Sequence, residues 1–113
     1  LKLLGEALFH FQFFEEKKLS YFYLTKEVMN KYAAKKEHTE GIVEKLLSYE
    51  KASVSLFLRE EQDGSIKGSM RSKDSIDVNQ IAAYFGGGGH VKAAGFSSQD
   101  CADIILNKIL ELL

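Results

Sequence analysis

The segment ASVSLFLREEQDGSIKGSMRS, residues 52–72, holds the clearest secondary-structure pattern of the chain. Apolar residues alternate with more polar ones over 52–60, which predicts a strand, and QDGS at 62–65 is typical of a hairpin turn. The return strand, 66–72, also has a period of two. One face of it carries Ile66, Gly68 and Met70, and the other carries Lys67, Ser69 and Arg71. The segment therefore predicts a β-hairpin with one apolar face and one face suited to anions.

The residues before this segment predict a second hairpin and two helices. Two aromatic-rich runs, 9–15 and 19–25, flank a short polar stretch, which is the pattern of two strands joined by a tight connection. Residues 26–36 predict a short helix, and Thr39 is expected to cap another. The apolar stripe of that other helix comprises Ile42, Val43, Leu46 and Leu47.

A well-signalled helix follows the central hairpin. Asp77 can cap its first turn, with Gln80 completing a capping box, and Ile76 can pack against Ile81. The helix is expected to end at Gly86, because glycine suits the left-handed position that follows a helix.

The last part of the chain predicts a strand and a helix. Residues 93–97 form the expected strand, and Ser97 or Ser98 is expected to cap a C-terminal helix. The predicted fold is therefore α/β (α+β), a single compact domain in which helices pack on a mixed β-sheet of about five strands.

Composition narrows the class of protein. The 113 residues are 45% hydrophobic and 27% charged with a net charge of −1, which is typical of one globular domain without a global basic field. Cys101 is the only cysteine, which excludes a disulfide framework. No apolar run approaches the ~20 residues that span a bilayer, so we expect a cytoplasmic protein with no membrane partner. The apolar pattern already under way at Leu1 and Leu4 suggests a helix that continues from an earlier segment.

The run GGGGHVKAAG, residues 86–95, contains the least expected composition of the chain. Four consecutive glycines lose conformational entropy on folding, about 0.5–1 kcal/mol each relative to alanine in a regular element, so something must require them. Two explanations remain open from the sequence. Either Cβ atoms would clash with neighbouring backbone, or the bare main chain forms an anion-binding concavity.

Two side chains favour a site for an anion. His90 follows the glycines directly, and an imidazole there can donate to a phosphate oxygen. Arg71 presents a planar fork that fits phosphate through two parallel hydrogen bonds. Residues 66–95 carry a local net charge of +2, from Lys67, Arg71, Lys73 and Lys92 against Asp74 and Asp77. The hypothesis is an anionic ligand that bridges Arg71 and His90.

Other site classes lack support in the sequence. GGGGHV does not have GxGxxG spacing and follows a predicted helix, which argues against a Rossmann dinucleotide site. His10, His38 and His90 are spread along the chain without metal-ligand spacing, and no nucleophile is paired with a base and an acid. The residues are suited to holding an anion rather than cleaving it.

Four short motifs occur in order: SMRSK at 69–73, IDVN at 76–79, FGGGGH at 85–90 and AAGF at 93–96. Together they resemble the DHH-associated C-terminal domain of DHH family phosphoesterases. Within that family the likeness is to the bifunctional oligoribonucleases that also dephosphorylate 3′-phosphoadenosine 5′-phosphate. Met70 stands where the family pattern suggests Leu, which is a conservative change. The resemblance covers nearly the whole chain.

The resemblance implies a hydrolase with two domains. Residues 1–8 would be the end of an inter-domain connecting helix, and 9–113 the substrate-binding domain. Manganese ions would be held by a separate N-terminal DHH domain, since no Asp-His-His triplet occurs here, so no catalytic residue and no cofactor is expected in this chain. The substrate would be a short oligonucleotide or a nucleotide phosphate, as for an exonuclease or a nucleotide phosphatase. The implied substrate-binding residues are Arg71 and His90, supported by Ser69, Ser72, Gly87, Gly88 and Gly89.

Several alternatives remain open at this stage. The chain could be a stand-alone RNA or tRNA binding module, or a structural domain that forms a homodimer through its apolar C-terminal helix. If it is a phosphoesterase domain, the sequence does not distinguish among short RNA, short DNA, a cyclic dinucleotide and 3′-phosphoadenosine 5′-phosphate as substrate.

Overall fold

A computed structural model describes residues 2–113 as a six-stranded sheet with helices on both faces. The strands are β1 (Gln12–Phe14), β2 (Leu19–Leu24), β3 (Val54–Glu60), β4 (Ile66–Ser72), β5 (Gly88–His90) and β6 (Ala93–Ser98). The helices are α1 (Lys2–His10), α2 (Lys26–Lys31), α3 (Ile42–Leu47), α4 (Val78–Tyr84) and α5 (Ala102–Leu112), with a 3₁₀ turn at Lys36–Thr39. The α/β class predicted from the sequence is confirmed.

The strand order across the sheet is β1-β2-β3-β4-β6-β5. Only β2 and β3 run parallel, because the chain between them crosses over through α2 and α3; every other neighbouring pair is antiparallel. Both predicted hairpins, β1 with β2 and β3 with β4, are therefore present. The count is six strands rather than about five, because part of the glycine run, expected as a loop, pairs with β6 as β5.

One face of the sheet is covered by α4 and α5. The main core lies between the sheet and these two helices. Its fully buried side chains include Leu56, Met70, Val78, Ile105 and Ile109. α4 begins as predicted, since the Asp77 carboxylate accepts hydrogen bonds from the backbone N–H groups of Asn79 (3.0 Å) and Gln80 (3.3 Å). Gly86 follows the helix with φ +81°, the left-handed conformation that ends many helices.

The opposite face is covered over only part of its width. α1 and α3 pack on β2 and β3, where a second cluster includes Leu3, Phe22, Leu46 and Phe57. On this face β6 and β5 have no helix above them, and α3 reaches only the near side of β4. The fold therefore leaves half of one sheet face open to solvent.

Some predicted element ends were wrong. Thr39 does not cap α3: its hydroxyl donates to the Lys36 carbonyl (2.7 Å) within the 3₁₀ turn, and Gly41, with φ +86°, precedes the helix. α5 follows Cys101 rather than Ser97 or Ser98. The predicted helix over 26–36 ends at Lys31. The start of the predicted strand over 9–15 belongs to α1, which continues to His10, and β1 begins only at Gln12.

A helix was expected over residues 1–8, and α1 extends two residues beyond that range; its role as a connection between domains stays a prediction. Leu1 lies outside the described residues. None of the helices in residues 2–113 combines the length and apolar composition that crossing a bilayer requires.

Candidate anion-binding site

The open half of the sheet presents polar and very small residues. Alternation along β4 directs Lys67, Ser69 and Arg71 to this face, as the sequence predicted. Their partners on β6 are Ser97, Gly95 and Ala93. Beyond β6, the edge strand β5 adds Gly88 and His90. The surface is thus a floor with little side-chain bulk, bordered by basic side chains.

Arg71 and His90 belong to one row across three strands. Arg71 pairs with Ala93 on β6, and Ala93 pairs in turn with His90 on β5. Residues opposite each other in antiparallel strands project to the same face, so the row places both side chains over the open half of the sheet. Two interstrand spacings separate their backbones, about 10 Å. The two residues on which the sequence hypothesis depends therefore share one face of the sheet, and their binding of one ligand stays a prediction.

The guanidinium of Arg71 is held by an acidic residue of α3. Its Nη2 and Nε lie 3.1 and 3.3 Å from Oε2 of Glu44, and its Nη1 donates to the Met70 carbonyl at 2.9 Å. The side chain remains 29% exposed. Glu44 of α3 thus holds the Nε–Nη2 edge of the guanidinium.

Packing requires glycine at some positions of the run and not at others. A Cβ at Gly87 would collide with the Gly95 carbonyl and the Phe96 backbone, and one at Gly89 would lie 2.5 Å from the Ala93 carbonyl oxygen. Packing alone requires these two glycines. A Cβ at Gly88 would meet only the Asn79 side chain, at 3.3 Å. Of the three glycines predicted to support a ligand, Gly88 is the one whose open main chain is not already explained by packing.

Asn79 fixes the position of β5. Its Oδ1 accepts a hydrogen bond from the Gly89 N–H at 2.8 Å. The neighbouring Val78 N–H donates to the Val91 carbonyl at 2.9 Å, which ties the hairpin tip to the start of α4. Sequence reasoning gave Asn79 no role, because the bond joins residues ten positions apart through an irregular strand.

Ser72 does not belong to this surface. It projects to the opposite face, is buried, and donates from its hydroxyl to the Ile76 carbonyl (2.7 Å) and more weakly to the Val91 carbonyl (3.4 Å). Alternation on β4 already placed Ser72 with Met70 rather than with Arg71. The expected grouping of Ser72 with Arg71 is therefore corrected, whereas Ser69 does lie on the open face.

A cavity of about 500 Å³ adjoins the open surface, between the start of α3 and the strands β3 and β4. Its lining includes Arg59, Lys67 and Arg71 together with Glu40 and Glu44. The sequence reasoning placed Lys67 on the polar face of its strand but did not consider Arg59. Across residues 2–113 no group of three or more His, Cys, Asp and Glu side chains is placed to hold a metal ion.

These features define an α/β domain that displays a basic, glycine-floored surface without a metal centre in its described part. The family model of the DHHA1 domain matches residues 18–113. The chain therefore belongs to the DHHA1 domain family, as the order of its motifs suggested.

Known relatives agree with this assignment. Over 63 residues the chain is 40% identical to the bifunctional oligoribonuclease and PAP phosphatase NrnA of Thermus thermophilus, which is 56% of this chain and 19% of NrnA. Part of an exopolyphosphatase-related protein from Bacteroides fragilis shares the fold, with a TM-score of 0.90 at 31% identity over 97% of this chain and 32% of that one. The pGpG-specific phosphodiesterase PggH from Vibrio cholerae shares the fold, with a TM-score of 0.68 at 15% identity over 96% of this chain and 36% of PggH. The chain thus spans at most about a third of these proteins.

Proposed function

We propose that this chain is the substrate-binding domain of a DHH phosphoesterase and that it binds a substrate phosphate between Arg71 and His90. The observation that carries the proposal is the row Arg71–Ala93–His90 on the uncovered half of the sheet. Arg71 and His90 lie on the same face of the sheet, and the strands β6 and β5 have no helix above them on that face.

The chemistry of the row suits a phosphate monoester or diester. Arg71 can donate two parallel hydrogen bonds to two phosphate oxygens, and His90 can donate a third from the opposite side. The low bulk of Gly88 and Ala93 lets a ligand approach the main chain closely. Ser69, on the same face of β4, can donate from its hydroxyl.

To bind a phosphate, Arg71 must release its ion pair with Glu44. Glu44, whose side chain is 56% exposed, accepts from the guanidinium in the ligand-free protein. A phosphate with nearly two negative charges offers more acceptor oxygens than one exposed carboxylate. The arriving phosphate would therefore displace Glu44 from Arg71.

Hydrolysis itself belongs to another part of the proposed protein. In this proposal a preceding DHH domain would hold Mn²⁺ ions, and the chemistry supplied there would be activation of a water and neutralisation of phosphate charge. The residues of this chain would bind and orient the substrate, which can account for a large part of a rate enhancement. The similarity to NrnA, named for oligoribonuclease and PAP phosphatase activity, supports short oligonucleotides or nucleotide phosphates as the substrate class.

An NMR titration of the 113-residue chain with adenosine 5′-monophosphate tests the proposal. We expect saturable shifts of the Arg71 Nε–H and His90 ring resonances, and binding weakened about tenfold or more in Arg71→Gln, the scale of a charged hydrogen bond. Lys51→Gln, which removes an exposed cation outside the row, is the matched control and should bind as the unmodified chain does. Equal shifts with adenosine, which has no phosphate, would contradict the proposal.

A further inference from the structure

Two basic residues stand directly opposite each other beside the cavity described above. Arg59 on β3 pairs with Lys67 on β4, so both side chains project to the same face of the sheet as Ser69 and Arg71, beside the start of α3. Like charges directly opposite on neighbouring strands destabilise a sheet. This pair lines a cavity of about 500 Å³, a volume in the range of small-molecule sites.

Arg59 is buried but only partly satisfied. Its side chain is 10% exposed. Its Nε and Nη2 donate to the Glu61 carboxylate, at 3.1 and 3.2 Å, and its Nη1 donates to the Thr39 hydroxyl at 3.0 Å. A guanidinium has five N–H donors. Two donors of a nine-tenths buried cation that lines the cavity therefore have no partner within residues 2–113.

Lys67 is exposed and makes no ion pair with any residue of the part of the chain that the structure describes. Two acidic residues also line the cavity. Glu44 is engaged by Arg71, and Glu40 is exposed and lies within ion-pair distance of neither Arg59 nor Lys67. Within residues 2–113, Glu61 is the one carboxylate in direct ion-pair contact with either member of the Arg59–Lys67 pair.

The pair lies at a defined separation from the row Arg71–Ala93–His90. Lys67 and Arg71 are four residues apart on one strand face, which corresponds to about 13–14 Å between their backbones. Ser69 lies between them on the same face. Long, flexible basic side chains can shorten that separation, so one ligand can reach both positions.

We infer that Arg59 and Lys67 form a second anion subsite, which binds another phosphate of the molecule held by Arg71 and His90. Joint binding rests on the proposed function, whereas anion binding at Arg59 and Lys67 stands without it. The ligand class this geometry selects is a short oligonucleotide with at least two phosphates along its backbone. The cavity wall at the start of α3 bounds the space for the second nucleotide.

Two dinucleotides that differ in one phosphate test the second subsite. The unmodified chain should bind pApA, which has a 5′-terminal phosphate, about tenfold more tightly than ApA, because one further charged contact is made. In Lys67→Gln this advantage should fall to about twofold or less, while Lys51→Gln should retain it. An advantage that survives Lys67→Gln would overturn the inference, as would equal weakening of ApA and pApA.

Inorganic phosphate separates the two sites directly. We expect the Arg59 Nε–H and Lys67 amide resonances to shift with phosphate in the Arg71→Gln variant, where the first site is removed. If phosphate shifts the Arg59 and Lys67 resonances of the unmodified chain and leaves those of Arg71 and His90 unchanged, that result would support the second subsite and contradict the first. Shifts confined to Arg71 and His90 up to about 100 mM phosphate would reject the second and retain the first. Amide spectra of each variant establish that it is folded.

Discussion

Arg71 and Glu44 are 27 residues apart in the chain and meet with their nearest nitrogen and oxygen 3.1 Å apart. The carboxylate lies on the guanidinium edge that a phosphate would use, so this ion pair occupies the proposed ligand position in the free protein. Glu44 is more than half exposed, and exposed ion pairs contribute little to stability, about 0.2–1 kcal/mol. Glu44 therefore competes only modestly with a phosphate for the Arg71 guanidinium.

Removing that competitor should strengthen phosphate binding. Glu44→Gln is expected to bind adenosine 5′-monophosphate about twofold to fivefold more tightly, which corresponds to the strength of an exposed ion pair. Isothermal titration calorimetry measures the change. Glu40→Gln removes a nearby charge that does not contact Arg71 and is the matched control. The same gain in both variants would show a general field effect, and weaker binding in Glu44→Gln would mean that Glu44 positions Arg71 for its ligand.

The glycine run should be sensitive to a single methyl group at one position. Gly87→Ala places a Cβ against the Gly95 carbonyl and the Phe96 backbone, so we expect a loss of about 1–3 kcal/mol in the free energy of unfolding. Gly5→Ala is the opposite case, since nothing lies within 4 Å of its Cβ position in α1, and it should gain about 0.5–1 kcal/mol. Urea unfolding measures both, and a neutral Gly87→Ala would mean that β5 can shift away from β6.

Substitution of Ser72 should affect the stability of the fold, whereas substitution of Ser69 should affect ligand binding. Ser72→Ala leaves the Ile76 carbonyl without its 2.7 Å donor, so it should lower the free energy of unfolding by about 1 kcal/mol without changing affinity for adenosine 5′-monophosphate. Ser69→Ala, on the open face, should weaken that affinity and leave stability nearly unchanged. Urea unfolding and calorimetry on both variants test this. A ligand-binding defect confined to Ser72→Ala would return Ser72 to the site.

Alkaline pH should destabilise the protein through Tyr21. Burial raises the pKa of its phenol, and the nearby Asp103 carboxylate and Tyr23 raise it further. A phenol whose pKa is higher in the folded state stabilises the fold fully below the unfolded value, about 10, and loses that contribution as the pH rises towards the folded value. Tyr21→Phe should therefore show a shallower loss of stability than the unmodified chain above about pH 10. Urea midpoints at a series of pH values provide the test, and parallel curves would contradict it.

The parts of the fold that sequence reasoning predicted are those with local signals. The alternation of β3 and β4 and the Asp77 cap of α4 involve residues a few positions apart, and the structure confirms them. β5 was missed because Gly88, Gly89 and His90 have no apolar alternation, and only pairing with β6 makes them a strand.

In the candidate site, too, the features with local sequence signals were predicted and the tertiary contacts were not. The chemistry of Arg71 and His90 suggested one anion site, but their shared sheet face follows from the register of β4, β6 and β5. The period of two already contained the information that Ser72 points the other way. The contact between Arg71 and Glu44 and the pair Arg59 with Lys67 depend on how α3 packs and on the hairpin register. These are tertiary features, which no short window of the sequence encodes.

The hydrogen bond from the Gly89 N–H to the Asn79 side chain also affects the edge of the sheet. An unprotected edge strand can recruit a strand from another molecule, and this is a common start of aggregation. β5 is a rim strand of bare main chain, and the side chain of Asn79 occupies the N–H at its midpoint. One backbone donor of this edge is thus already paired inside the molecule, which leaves fewer free groups for the addition of a strand from another molecule.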